Sequence, residues 1–279
     1  MTVSPTPITQ RGECPRFSGL PFDLAGGPDA VLLLHGLTGS PFEVRYLAEH
    51  LRARGMRCRG PMMPGHGGSP RLLANLPWSV WVEAAQRELM ELEGARRILL
   101  VGCSMGALVA CAIAHGVPEV VDGLALLAPA FCLTGFGNLA AALGRSALGK
   151  LLPPVPKVNG SDVRDPVARR ENKVMRAVPL LAVAELQDLS RHVDALLPSI
   201  RVPALVVMGR HDRTVALSGA RRAARRIGSG PAPLSILERS AHLVGIDLDR
   251  DQCAETVATF FETIPAKRVK DQGGSWRRT

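Results

Sequence analysis

Between the apolar run Ile98–Val101 and the small residues of Met105–His115, the chain places Gly102-Cys103-Ser104-Met105-Gly106. The run is too short for a helix, and its unbroken hydrophobicity suits a strand covered on both faces. The small residues after it suit a helix lying close against a sheet. A serine at the junction occupies a sharp strand-to-helix turn, its hydroxyl exposed at the top of the sheet and the positive end of a helix dipole behind it. The flanking glycines let neighbouring backbone approach without a Cβ clash.

The rest of the chain keeps that rhythm. Ala30–Leu34 reads as a strand ended by Gly36. Pro41–Arg54 reads as a helix, with Val44, Leu47, Ala48 and Leu51 as its apolar stripe and Gly55 as its stop. Residues 56–60 suit a short strand, followed by a turn-rich stretch, Pro61–Pro70. The series then predicts a helix over Ser79–Glu93, strands over Arg97–Gly102 and Gly123–Leu127, and the small-residue helix between them. Ala204–Gly209 and Leu234–Leu237 read as strands, Leu217–Ile227 and Arg250–Thr263 as helices. Strands alternating with helices predict an α/β fold with a mostly parallel sheet.

One segment breaks the alternation. From Phe131 to Pro198 there are helical patches and prolines but no convincing strand. An ordinary connection between sheet strands is far shorter. We expect a core formed by residues 28–130 and 199–264, with 131–198 as a helical cap insertion. Residues 1–27 form a lead segment and 265–279 a basic flexible tail. Phe131, Leu133, Phe136, Leu139, Leu143, Leu148, Leu151, Leu152 and Val178–Leu181 make the insertion apolar, either as packing against the sheet or as a lid over a substrate. Phe131, Phe136 and Leu180 are the expected substrate contacts.

Of the 279 residues, 46% are hydrophobic and 21% charged, a soluble globular balance that excludes wholesale disorder. No run approaches the ~18 apolar residues of a membrane span. The N-terminus, MTVSPTPITQRGECPRF, lacks the apolar core of a secretory signal, so a cytoplasmic protein without membrane insertion is expected. The net charge is +9, but residues 267–279 carry five basic groups and one Asp, which is +4 of it. Arg221, Arg222, Arg225 and Arg226 share one helical face, read as solvated, and no nucleic-acid motif accompanies them. The six cysteines, Cys14, Cys58, Cys103, Cys111, Cys132 and Cys253, show no ligand or disulfide spacing and read as small buried hydrophobes.

A serine nucleophile needs a base and a group to orient that base. The strand Ala204–Gly209 runs into Arg210-His211-Asp212, and Leu234–Leu237 is followed by Ser240-Ala241-His242. Ser104, Asp212 and His242 therefore sit beyond carboxyl ends of strands, in the order nucleophile, acid, base. Asp247 is a second acid near His242, at a spacing that suits a turn or cap. His211 adjoins Asp212 and is poorly directed as a base. His35 and His66 sit in turns and suit loop hydrogen bonds, while His50, His115 and His192 fall on helical or surface positions. A developing oxyanion needs two backbone donors. Met105, at the start of its helix, and Leu37, in the turn His35-Gly36-Leu37-Thr38-Gly39, are placed to supply them.

With these motifs in place the chain resembles the α/β-hydrolase superfamily, and within it the bacterial carboxylesterase and monoacylglycerol lipase group allied to S33-type aminopeptidases. The resemblance rests on VLLLHGLTGSPFEVRYLAEHL, PMMPGHG, GCSMG, MGRHDRTV and SAHLVGIDLDRD, in order across roughly residues 28–264. It implies a Ser104–His242–Asp212 triad, oxyanion amides from Leu37 and Met105, and a cap over the acyl site. It also implies hydrolysis of short to medium acyl esters, monoacylglycerols among them, through an acyl-enzyme, with a small-molecule ester as partner and no cofactor or metal. Acyl transfer or thioester hydrolysis on the same triad remains open, as does a ligand-binding homologue without catalysis.

Overall fold

The computed structural model describes residues 17–146, 149, 151–157, 160–172 and 174–266, with the backbone alone for 268–270 and 276–278. Cys14, Leu148, most of the lead segment and the remainder of the tail lie outside the described residues.

The chain opens with two strands, β1 (Phe22–Leu24) and β2 (Asp29–Leu34), then helix α1 (Phe42–Ala53) and β3 (Arg57–Gly60). Two helices follow, α2 (Pro70–Ala74) and α3 (Trp78–Met90), then β4 (Arg97–Cys103), α4 (Met105–Gly116) and β5 (Gly123–Leu127). The insertion contributes α5 (Gly135–Arg145), β6 (Val155–Pro156), α6 (Pro166–Glu171), β7 (Ala177–Val178) and α7 (Leu180–Leu196). The chain then returns through β8 (Ala204–Gly209), α8 (Leu217–Arg226), β9 (Leu234–Leu237) and α9 (Arg250–Thr263). It ends in β10 (Arg268–Lys270) and β11 (Trp276–Arg278).

Seven strands form one sheet in the order β1-β3-β2-β4-β5-β8-β9, parallel throughout except β1, which pairs antiparallel with β3 at the edge. Every residue of β2, β4, β5 and β8 is buried, the signature of parallel strands covered on both faces. Alternate side chains divide between two cores. Leu32, Leu34, Leu100, Leu126 and Val206 pack with α3, α4, α7 and α8. Val31, Leu33, Val101, Leu127 and Val207 pack with α1 and α9 on the opposite face. This is the α/β-hydrolase architecture.

Four features depart from the sequence pattern. β1 is too short to announce itself, and α2 is a five-residue turn started by Pro70, with the Ser69 hydroxyl capping the Arg71 N–H. Within the insertion, Val155–Pro156 pairs antiparallel with Ala177–Val178, a strand pair where only helix was expected. In the tail, Arg268–Lys270 and Trp276–Arg278 pair antiparallel, where composition had suggested an irregular end.

The insertion's apolar residues also split. Leu133, Leu180, Leu186, Leu189 and Val193 are buried, whereas Phe136, Leu139, Leu143, Leu151 and Leu152 are exposed. α7 packs on α5 and also on α3 and α4, so it joins the helical layer over the sheet. Of the four arginines on α8, Arg222 and Arg226 both pair with Asp194 of α7, at 2.9 and 2.5 Å, and Arg221 and Arg225 face solvent. No helix among the described residues is long and apolar enough to cross a membrane.

Candidate active site

The turn between β4 and α4 holds Ser104 at φ 54°, ψ −110°, a strained conformation for any L side chain. Close packing maintains it. A Cβ on Gly106 would fall 2.2 Å from the Leu34 carbonyl oxygen of β2, and one on Gly102 would fall 2.3 Å from the Gly106 backbone. Only glycine at both sites lets the elbow press into the sheet. The Ser104 N–H donates to the Leu127 carbonyl of β5 at 2.9 Å, anchoring the turn from the other side. Cys103 faces the α1–α9 core, and burial pushes its thiol well above the ordinary value, so it presents no thiolate to the site.

His242 reaches the same region from the loop after β9. Its Nδ1–H donates to Asp212 Oδ2 at 2.8 Å, and both side chains are almost fully buried. The other Asp212 oxygen accepts the N–H groups of Thr214 (2.8 Å) and Val215 (2.9 Å), which orients the carboxylate in its turn beyond β8. Burial alone would lower the His242 pKa. The charge and hydrogen bond of Asp212, with Asp162 and Glu43 behind them, override it and raise the imidazole above its usual 6.5.

Asp247 is fully buried and does something else. Its carboxylate accepts backbone N–H groups from Arg164 (2.9 and 3.0 Å), Asp165 (2.8 Å), Ala241 (2.7 Å) and Leu248 (2.9 Å). It knits the insertion to the His242 loop. His211 is exposed, and its side chain lies on the solvent side of the same turn as Asp212.

The turn from His35 to Ser40 lies beside the elbow. Met63 N–H donates to His35 Nε2 (3.0 Å), so Nδ1 carries the proton and donates to the Gly36 carbonyl (2.9 Å). Burial, reinforced by neighbouring His66, lowers the His35 pKa to about 3. His66 donates from Nδ1 to the Pro64 carbonyl (3.0 Å), and burial lowers its pKa to about 4. Both imidazoles are neutral structural groups.

Leu37 sits in this turn, and Met105 is the first residue of α4. Thr38 follows Leu37 at φ +63°, an outlier for a β-branched residue. The insertion holds it there: Met175 N–H donates to the Thr38 carbonyl (2.9 Å), and Lys157 Nζ donates to the Thr38 hydroxyl. On the inner side, Gly36 N–H donates to Glu43 Oε2 at 2.8 Å. Burial raises the Glu43 pKa, against the opposing pull of the Gly36 amide and Lys157. Burial likewise lowers Lys157, with Glu43 opposing. Neither residue carries a local signal in the sequence. Glu43 reads as an ordinary first-turn acid of α1, and Lys157 as one basic residue among many.

Ser104, His242, Leu37 and Thr38 share the wall of a cavity of about 640 Å³. Its apolar side is built from Leu133, Phe136, Ala140, Leu180, Val183 and Leu186 of the insertion. Its polar side holds Lys157, Ser161, Asp162, Arg213 and Thr214. Phe136 and Leu180 thus face the cavity, whereas Phe131 does not. Phe131 is only 5% exposed and packs in the core beneath α4 and α8, because the chain leaving β5 is still inside the molecule at that point. Among the described residues, no group of three or more His, Cys, Asp or Glu side chains is arranged to hold a metal ion.

The chain as a whole is similar to known proteins. Residues 28–249 match the family model described as serine aminopeptidase, S33. The chain is 28% identical to a carboxylesterase of Bacillus subtilis over 247 residues, covering 88% of this chain and 96% of the relative. It is 27% identical to a thermostable monoacylglycerol lipase of Bacillus sp. strain H-257, covering 86% of this chain and 93% of that one. Among solved structures, a metagenome-derived lipolytic enzyme superposes with a TM-score of 0.78 at 27% identity, over 88% of this chain and 98% of its own. The chain belongs to the serine aminopeptidase S33 family, as an esterase- and lipase-like α/β-hydrolase.

Proposed function

We propose that the protein hydrolyses carboxylic esters of short to medium acyl chains, monoacylglycerols included, through an acyl-enzyme on Ser104. One observation carries the reading. A serine on a strained elbow and a histidine bonded to a buried carboxylate open onto a single cavity with an apolar side. The carboxylesterase and monoacylglycerol lipase relatives, matched over nearly their whole lengths, support it.

In the proposed reaction His242 takes the Ser104 proton as the oxygen attacks the ester carbonyl. The Leu37 and Met105 amides hold the tetrahedral oxyanion, assisted by the N-terminal dipole of α4. Asp212 keeps the His242 proton on Nδ1, leaving Nε2 as the base, and stabilises the imidazolium. His242 then protonates the leaving alcohol, and a water activated in the same way releases the acid. The insertion over residues 131–198 serves as the cap. The acyl chain lies along Leu133, Phe136, Ala140, Leu180, Val183 and Leu186, and the alcohol faces the polar side.

Purified protein assayed on p-nitrophenyl esters from acetate to decanoate, beside Ser104→Ala, tests this reading. Turnover that peaks within that range and vanishes in Ser104→Ala supports it. Activity unchanged by Ser104→Ala would assign the chemistry elsewhere.

A further inference from the structure

Asp162 belongs to the insertion, between β6 and α6, yet it touches both loops of the acid–base pair. Its carboxylate accepts the Arg213 backbone N–H (2.8 Å), the Arg213 Nε–H (3.0 Å) and the Thr214 hydroxyl (3.2 Å). These groups stand directly after Asp212. Its backbone carbonyl accepts the N–H groups of His242 (3.1 Å) and Leu243 (3.3 Å). The side chain is only 12% exposed and lines the cavity. The loops beyond β8 and β9 meet directly through the His242–Asp212 bond, the His211 N–H on the Ser240 carbonyl (3.0 Å) and the exposed Arg210–Glu238 pair, and Asp162 bridges them again from the insertion, beside the acid and the base themselves.

We propose that Asp162 is a positioning residue that holds the Asp212 loop in register with the His242 loop, making the insertion part of the catalytic assembly. The inference rests on the serine-hydrolase reading above. Two loops free to slide by ~1 Å forfeit about a hundredfold in rate, because the base must meet the nucleophile in a narrow range of geometry. Asp162 opposes that slide at the points where it matters. It fixes the backbone of the base itself and of the residues next to the acid.

Charge supplies a readout that a merely structural contact would lack. The charged groups facing His242 are Asp212 from the loop beyond β8, Asp162 from the insertion and Glu43 from α1. Arg213 is paired with Asp162, and Lys157 faces Glu43. Neutralising Asp162 removes one carboxylate that favours the imidazolium, so the base form of His242 appears at lower pH.

The test uses the full chain, p-nitrophenyl butyrate, and the variants Asp162→Asn and Asp162→Ala beside wild type. Asp162→Asn should lower kcat about tenfold, leave KM within about twofold, and move the acid limb of kcat/KM down by about half a pH unit. Asp162→Ala, which removes every side-chain bond to Arg213 and Thr214, should lower kcat about a hundredfold. Both variants should still take up one equivalent of a fluorophosphonate at Ser104, more slowly than wild type. An Asp162→Asn enzyme with an unmoved acid limb and kcat within twofold overturns the proposal, as does a loss carried by KM. If Asp162→Ala fails to fold, the isosteric Asn variant decides. Wild type that is inactive and unlabelled would instead sink the serine-hydrolase reading itself, an outcome distinct from failure of the Asp162 role.

Discussion

Asp212 and Asp247 are both buried acids close to His242, and the structure predicts that their removal does opposite things. In Asp247→Asn, Oδ1 can still accept Asp165, Leu248 and Arg164, but the new NH2 group faces the Ala241 N–H. That buried donor is left unpaired at a cost of about 1–3 kcal/mol. The remaining bonds lose their charge assistance, at roughly 1 kcal/mol each. Because neighbouring losses do not add, the expected total is about 3–5 kcal/mol, or a melting point lower by roughly 10 °C. In Asp212→Asn, the oxygen facing Thr214 and Val215 keeps its two donors, and only the group facing His242 changes. Stability should fall by no more than about 1–2 kcal/mol, while kcat should fall about 10⁴-fold as His242 adopts the wrong tautomer. Urea midpoints and p-nitrophenyl butyrate turnover, measured on both variants, give the comparison. Near-normal turnover in Asp212→Asn, or an unchanged urea midpoint in Asp247→Asn, would refute the division of roles.

Two further outcomes follow from the same geometry. His35 and His66 stay neutral when folded down to about pH 3 and about pH 4, whereas unfolded imidazoles take up protons near 6.5. The unfolded chain therefore binds up to two more protons below 6.5, and stability should fall as pH drops from about 6.5 towards 4, with urea midpoints as the readout. His242 acts in the opposite sense: its raised pKa contributes stability fully below 6.5, lost as pH rises through its folded value. A urea midpoint flat between pH 6.5 and 5 would contradict the assignment of the two neutral histidines. In the cavity, Ala140→Phe should block the apolar side. Excluding about four methylenes at ~0.8 kcal/mol each lowers kcat/KM about two-hundredfold for octanoate and leaves acetate nearly untouched. Equal losses on both esters would put the acyl chain elsewhere.

The parallel core was legible because burial on both faces writes continuous apolar runs, and β2, β4, β5 and β8 are such runs. Ser104 was legible through its glycines, whose absence of Cβ is a steric demand of the elbow itself. Asp212 and His242 each follow a recognisable strand, so topology alone brings them near each other. The features without a local sequence signal are built by distant contacts. β1, with three residues, and the two-residue pair β6–β7 exist through their partners rather than any local pattern. Glu43, Lys157 and Asp162 gain their meaning from Gly36, Thr38, Arg213 and His242, and no spacing within the chain announces those meetings. Phe131 illustrates the converse. An aromatic at the start of an insertion reads as pocket lining, but the chain there has not yet left the core.

The proposed reaction requires Ser104 as a nucleophile activated by His242. Incubation with a fluorophosphonate, followed by intact mass and peptide mapping, tests that most directly. One phosphonyl group per chain, mapped to Ser104, lost in Ser104→Ala and strongly slowed in His242→Ala, is the predicted result. Labelling of another residue, or labelling of Ser104 at the same rate without His242, would contradict it.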